Sequence, residues 1–145
     1  MAPARVEDDS APGIAKDEIE RDESRVGVLI VEDEFLVALE MEQMLIEANH
    51  EVLAIVDSER AAVTEDERLE PDIILMDIAL RRGDGIAAAR TIRQRRDVPV
   101  IFVSANADPD TLARAAEVQP AAYIRKPFGG PELLGTLNEV LKRFR

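Results

Sequence analysis

Residues Gly27 to Phe35 read GVLIVEDEF. Four apolar residues, Val28 to Val31, run without a polar break and then meet three acids, Glu32, Asp33 and Glu34. A continuous aliphatic run of this length predicts a strand buried on both faces, not one that alternates between core and water. Carboxylates at the tip of such a strand are costly unless something there requires them.

The same pattern recurs toward the C-terminus. Apolar runs predict further strands at EVLAIV (51–56), PDIILMDI (71–78), VPVIFVSA (98–105) and AAYIRKPF (121–128). Amphipathic segments alternate with them. In EFLVALEMEQMLIEANH (34–50), Phe35, Leu39, Met44, Leu45 and Ala48 lie near helical spacing, with Asn49 as a C-cap. SERAAVTEDERLE (58–70) is a charged helix opened by Ser58 as N-cap. GDGIAAARTIRQRRD (83–97) is the third helix. DPDTLARAAEVQP (108–120) is the fourth, with Pro109 in its first turn, and GPELLGTLNEVLKRF (130–144) the fifth. Five β-α units with short connections predict an α/β fold, a doubly wound parallel sheet covered by helices on both faces.

Composition narrows the function. The 145 residues make one domain, or one domain and a tail. Residues 1–24 hold eight acids against three bases and two prolines, which predicts a disordered or loosely helical acidic tail ahead of a domain over 25–145. With no cysteine, disulfides and thiolate metal sites are excluded. No apolar stretch approaches the roughly 20 residues that span a bilayer, and MAPARVEDDSAPG (1–13) lacks the apolar core of a secretory signal. Cytoplasmic residence is therefore expected. A net charge of −12 disfavours nucleic acid and suits a cation or a basic protein surface.

In open parallel sheets, sites form at the carboxyl ends of the strands. There the sequence places Glu32 and Asp33 after strand one, Asp77 after strand three, Ser104 at the end of strand four and Lys126 after strand five. Two carboxylates about 5 Å apart repel by about 3 kcal/mol at an effective dielectric of 20. One lysine does not neutralise three acids, so a divalent cation is the natural complement. An all-oxygen ligand set favours Mg2+ or Mn2+ over zinc. Such a cation, a carboxylate nucleophile and a lysine are equipment for phosphoryl transfer. Each piece alone has a bland reading as a cap or turn residue; their joint placement on four strands does not.

Taken together, VLIVEDE, DIILMDI, GDGI, PVIFVSA and YIRKPF resemble the receiver domain of two-component response regulators, from about Val26 to the C-terminus. The resemblance implies a flavodoxin-like (CheY-like) fold, strand order 2-1-3-4-5 with five helices. It implies that Asp77 accepts a phosphoryl group from a sensor histidine kinase or a histidine phosphotransfer protein. Asp33 would bind Mg2+ directly, with Glu32 in support and the Ala79 backbone carbonyl completing the protein's ligands. Ser104 takes the place of the switch hydroxyl, Lys126 would pair with the acids and then with the phosphoryl group, and Tyr123 stands at the aromatic switch position. The Lys126–Pro127 bond is expected to be cis.

The chain also departs from the pattern. IALRRGDGI (78–86) lacks the Met-Pro pair of many receivers, and PFGGPELL (127–134) carries paired glycines. The chain ends at helix five, which leads to the expectation of a stand-alone regulator whose output is a protein contact or relay. A monomer, or a weak or phosphorylation-dependent dimer, is the family-level expectation. A pseudo-receiver that binds partners without phosphorylation is the alternative. A dehalogenase-type phosphatase would need an acid two residues after its nucleophile, where Ala79 stands. His50 reads as a surface or packing residue, Met41, Met44 and Met76 as core filler, and Arg90 to Arg96 as the solvated end of helix three.

Overall fold

The computed structural model describes residues 25–144; the expected acidic tail lies outside the described residues. Ten elements alternate: β1 (Gly27–Val31), α1 (Phe35–Glu47), β2 (Glu51–Val56), α2 (Glu59–Leu69), β3 (Ile73–Met76), α3 (Gly85–Arg95), β4 (Val100–Ser104), α4 (Pro109–Glu117), β5 (Ala122–Arg125) and α5 (Gly130–Phe144). The five strands form one sheet in the order β2-β1-β3-β4-β5, and every pairing is parallel.

The unbroken apolar runs follow from this topology. Val28 and Ile30 of β1 enter one core with Ala38, Met41 and Leu45 of α1 and Leu133, Leu137 and Val140 of α5. Leu29 and Val31 point the other way, into a second core with Ala62 of α2, Ile86, Ala89 and Ile92 of α3 and Ala115 of α4. Both faces of the central strands are thus covered, and Ser104, the last residue of β4, is the one polar side chain on β1, β3 and β4. Val28 of β1 stands opposite Ile73 of β3, and Val31 opposite Met76. The two strands therefore end level, which brings the residues just past them to one edge.

Local chemistry sets the helix boundaries. Ser58 Oγ accepts from Ala61 N, Asp84 accepts from Ile86 N and Asp108 from Thr111 N, each satisfying an otherwise unpaired amide of the first turn. Asn49 follows α1 with φ of 71°, the left-handed conformation that asparagine tolerates. The Lys126–Pro127 bond is cis.

Two sequence expectations change. The core face of α1 is Ala38, Met41 and Leu45; Phe35 is 73 % exposed and Leu39 40 %. The helix is apolar on more than one side, so spacing alone does not choose the buried stripe. The end of α3 is not simply solvated. Arg96 donates to the fully buried Asp66 (3.0 Å) and to the Pro71 carbonyl (2.8 Å), and Arg93 donates to the Gln119 carbonyl. Of the two roles expected for His50, packing holds: it is buried, and its Nδ1 accepts from Val26 N at the start of β1.

Candidate functional site

The strand tips bring Glu32, Asp33 and Asp77 together. One carboxylate oxygen from each lies within 4.8 Å of the others. Glu32 and Asp77 are buried, and Asp33 is partly exposed. A cavity of about 280 Å³ opens over them, lined by Asp33, Asp77, Ala79, Ser104, Asn106 and Lys126 among others.

Each acid has one oxygen held by a backbone amide. Glu34 N donates to Glu32 Oε2 (3.0 Å), Ala79 N to Asp77 Oδ1 (3.3 Å) and Arg81 N to Asp33 Oδ2 (2.7 Å). Lys126, carried in just past β5, serves the remaining oxygens of two of them. Its Nζ lies 2.7 Å from Glu32 Oε1 and 3.1 Å from Asp77 Oδ2. Glu34, which the sequence assigns only to the start of α1, also reaches Lys126 at 3.4 Å. Among the described residues, Asp33 Oδ1 receives no hydrogen bond and no ion pair.

The electrostatics follow from burial and from these neighbours. Burial pushes the Glu32 carboxyl above its usual range, and the charge of Asp77 adds to this against the opposing pull of Lys126 and the Glu34 amide. Desolvation alone would lower Lys126, but Glu32 and Asp77 together outweigh it and raise the ammonium above its ordinary 10.5. The lysine therefore stays charged through the physiological range.

One ammonium against three carboxylates leaves the cluster anionic. The donors are all oxygens, one of them unclaimed by any described residue, and Glu32 Oε1 has the charge of Lys126 beside it but no aligned hydrogen bond. This set fits a hard divalent cation such as Mg2+, which takes oxygen ligands and keeps several waters. Soft metals find no thiol or imidazole among these donors.

The loop after β3 is tightly built. A Cβ at Gly85 would stand 2.0 Å from the Asp77 carbonyl oxygen, so only glycine allows α3 to begin so close to the acid. Gly83 has φ of +111°, and a Cβ there would meet Glu59.

Ser104, the last residue of β4, is buried at the cavity, and its Oγ accepts from Asn106 N (3.1 Å). Tyr123 does not line the cavity. Its ring packs edge-on to Phe102, with centroids 6.4 Å apart, while its hydroxyl donates to the Asn106 carbonyl. Asn106 is thus bonded to both positions that the resemblance pairs as a switch, by backbone groups that its side-chain identity does not reveal. Asp84 is a second residue without a sequence signal for its contacts: beyond capping α3 it pairs with Arg114 of α4, and its N–H donates to Glu59 Oε1.

Comparison with known proteins agrees with this geometry. Residues 28–138 match the family described as response regulator receiver domain. The transcriptional regulatory protein PdtaR of Mycobacterium tuberculosis is 34 % identical over 118 residues, covering 81 % of this chain and 58 % of that protein. The transcriptional regulatory protein CseB of Streptomyces coelicolor is 35 % identical over 123 residues, covering 81 % and 50 %. The chain thus spans about half the length of these curated relatives. The crystal structure of the signal receiver domain of a modulated diguanylate cyclase from Desulfovibrio desulfuricans G20 superposes with a TM-score of 0.78 at 32 % identity, covering 82 % of this chain and 95 % of that one. Its sheet order, its strand-tip acids and a match over most of its length identify the chain as a member of the response regulator receiver domain family.

Proposed function

We propose that this receiver, a signalling domain, accepts a phosphoryl group on Asp77 from a sensor histidine kinase or a histidine phosphotransfer protein. The observation that carries the reading is the placement of Asp77. Its carboxylate is buried at the tip of β3, shares a cavity with Asp33 and Ser104, and has Lys126 Nζ 3.1 Å from Oδ2.

In the transfer, a carboxylate oxygen of Asp77 forms a P–O bond as the P–N bond of a phosphohistidine breaks, and the electron pair leaves with the imidazole nitrogen. Glu32, Asp33, Asp77 and the Ala79 carbonyl would hold Mg2+, or Mn2+ in its place, and the cation would neutralise charge on the phosphoryl oxygens. Lys126 supplies the fixed positive charge on the β5 side. Its three acidic neighbours hold it there before any phosphoryl group arrives. The Ser104 hydroxyl is the donor available on the β4 side, by giving its proton to a phosphoryl oxygen. Because Asn106 joins Ser104 to Tyr123, a shift of the serine would be felt at the tyrosine, and output would pass to a protein partner through that side of the fold. No described helix is long and apolar enough to cross a membrane, and the reading places the domain in the cytoplasm with its donor.

The test is incubation with a small phosphodonor such as acetyl phosphate and Mg2+, followed by intact mass. One added phosphoryl group is expected, absent in Asp77→Asn and absent when a chelator removes the metal. A wild-type protein that stays unmodified under these conditions would leave a phosphorylation-independent binding module as the reading.

A further inference from the structure

Lys126 Nζ has three acidic neighbours, and an ammonium has three N–H groups to give. Two of the neighbours, Glu32 and Asp77, belong to the strand-tip cluster. The third is Glu34, whose Oε1 lies 3.4 Å from Nζ. Glu34 stands at the N-cap of α1 in an extended conformation, yet its side chain caps no amide of the first turn. A side-chain oxygen at that position ordinarily accepts from the second or third amide of its helix. This one reaches Lys126 instead, across the cavity that both residues line with Asp77.

The three acids differ in what release from the lysine would cost them. The side chain of Glu32 is 0 % exposed and that of Asp77 7 %, whereas that of Glu34 is 58 % exposed. A buried carboxylate that loses its counter-charge is left in a poor medium for charge, but an exposed one is taken up by water. A phosphoryl group on Asp77 would bring about two negative charges and three acceptor oxygens to the same cavity. Lys126 then needs an N–H to give it, and Glu34 is the partner that yields one at least cost. The Glu34 amide, bonded to Glu32 Oε2, can stay where it is while the carboxylate leaves.

We infer that the Glu34 carboxylate holds the place of the incoming phosphoryl group on Lys126, and so restrains phosphorylation of Asp77. The inference rests on the phosphoacceptor reading of that aspartate. Before transfer, Glu34 is a positioning group that keeps the ammonium at the cavity wall. On transfer it surrenders the lysine to a phosphoryl oxygen, and the energy of the pair is lost to the product. A pair as exposed as this one is worth up to about 5-fold in an equilibrium. Removing the carboxylate should therefore favour the phosphorylated state by a few-fold, and leave the reaction itself intact.

The experiment compares the full wild-type chain with Glu34→Gln and Glu40→Gln. The first variant deletes the charge and keeps the backbone N–H. The second deletes the same charge from an exposed position farther along α1 that makes no contact with Lys126. Each is mixed with excess acetyl phosphate and Mg2+, and intact mass follows the modification with time. An Asp77 oxygen forms a P–O bond as that of the donor breaks, and the electron pair leaves with acetate. Glu34→Gln is expected to react about 3-fold faster than wild type, and Glu40→Gln at the wild-type rate, since its distant charge is screened. Beryllofluoride, a tetrahedral stand-in for the phosphoryl group, should likewise bind about 3-fold more tightly to Glu34→Gln in a calorimetric titration with Mg2+. Circular dichroism and unfolding midpoints check the fold of each variant. Equal rates or equal affinities in wild type and Glu34→Gln overturn the inference while leaving Asp77 as the acceptor. So does a slower Glu34→Gln, since the carboxylate would then assist the transfer, and so does an equal gain in Glu40→Gln, since net charge would then be the cause. A wild type that takes up no phosphoryl group overturns the phosphoacceptor reading and this inference with it.

Discussion

Lys126 Nζ stands 2.7 Å from Glu32 Oε1, and both side chains are withdrawn from water, 12 % and 0 % exposed. The contact is ionic, because the carboxylate oxygen has no aligned hydrogen bond. The same ammonium lies against Asp77 and Glu34. The lysine therefore holds together charges that would otherwise repel in a medium of low dielectric.

Replacing it tests that role. Lys126→Gln leaves buried carboxylates without their counter-charge and should lower stability by about 3 kcal/mol in the presence of a chelator. Mg2+ should recover part of the loss, and more than it adds to wild type, since the cation and the ammonium answer the same charge. Urea unfolding with and without Mg2+ measures both. Equal stability of variant and wild type in chelator would show that the ion pairs do not matter to the fold.

Two glycines should respond oppositely to alanine. Gly85→Ala places a methyl group 2.0 Å from the Asp77 carbonyl oxygen, where only backbone can yield, and should cost about 2–3 kcal/mol. Gly135 lies within α5 with nothing within 4 Å of an added Cβ, so Gly135→Ala should raise stability by about 0.5–1 kcal/mol. Denaturant midpoints of the two variants check the pair. A neutral Gly85→Ala would mean that α3 can move off the acid without cost.

The N-cap of α4 gives a pH signature. The Thr111 amide and hydroxyl both donate to Asp108 and hold its carboxyl below the ordinary 3.8. A depressed carboxylate stabilises the fold above its unfolded value and loses that contribution as pH falls through the folded one. The stability difference between wild type and Asp108→Ala should therefore be full at neutral pH and shrink below about pH 3.8. Thermal unfolding of both proteins from pH 6 to 2 follows it, and a gap that stays constant across that range would count against the cap.

The fold was legible because aliphatic runs at β1, β3 and β4 have only one stable setting, a sheet covered on both faces. The acids at 32, 33 and 77, with Ser104 and Lys126, were legible because strand ends determine where side chains meet. Other features depend on phase or distance. In α1, Phe35 and Leu36 are as apolar as Ala38 and Met41, and the sheet decides which of them is covered. The bond from Arg81 to Asp33 and the role of Asn106 are made by backbone groups, which every residue but proline carries alike. Buried Asp66 resembled any acid of a charged helix until Arg96 was seen to reach it across from α3.

Asn106 gives its N–H to Ser104 and its carbonyl to Tyr123, so a single residue links the acid-lined cavity to the only tyrosine of a chain that has no tryptophan. The protein therefore carries its own optical label. Its phenol emission and phenol dichroism arise at one ring, two hydrogen bonds from the serine, with no competing indole. Rearrangement at Ser104 can then be timed in the unmodified protein, without an attached dye and without a substitution that disturbs the event being observed.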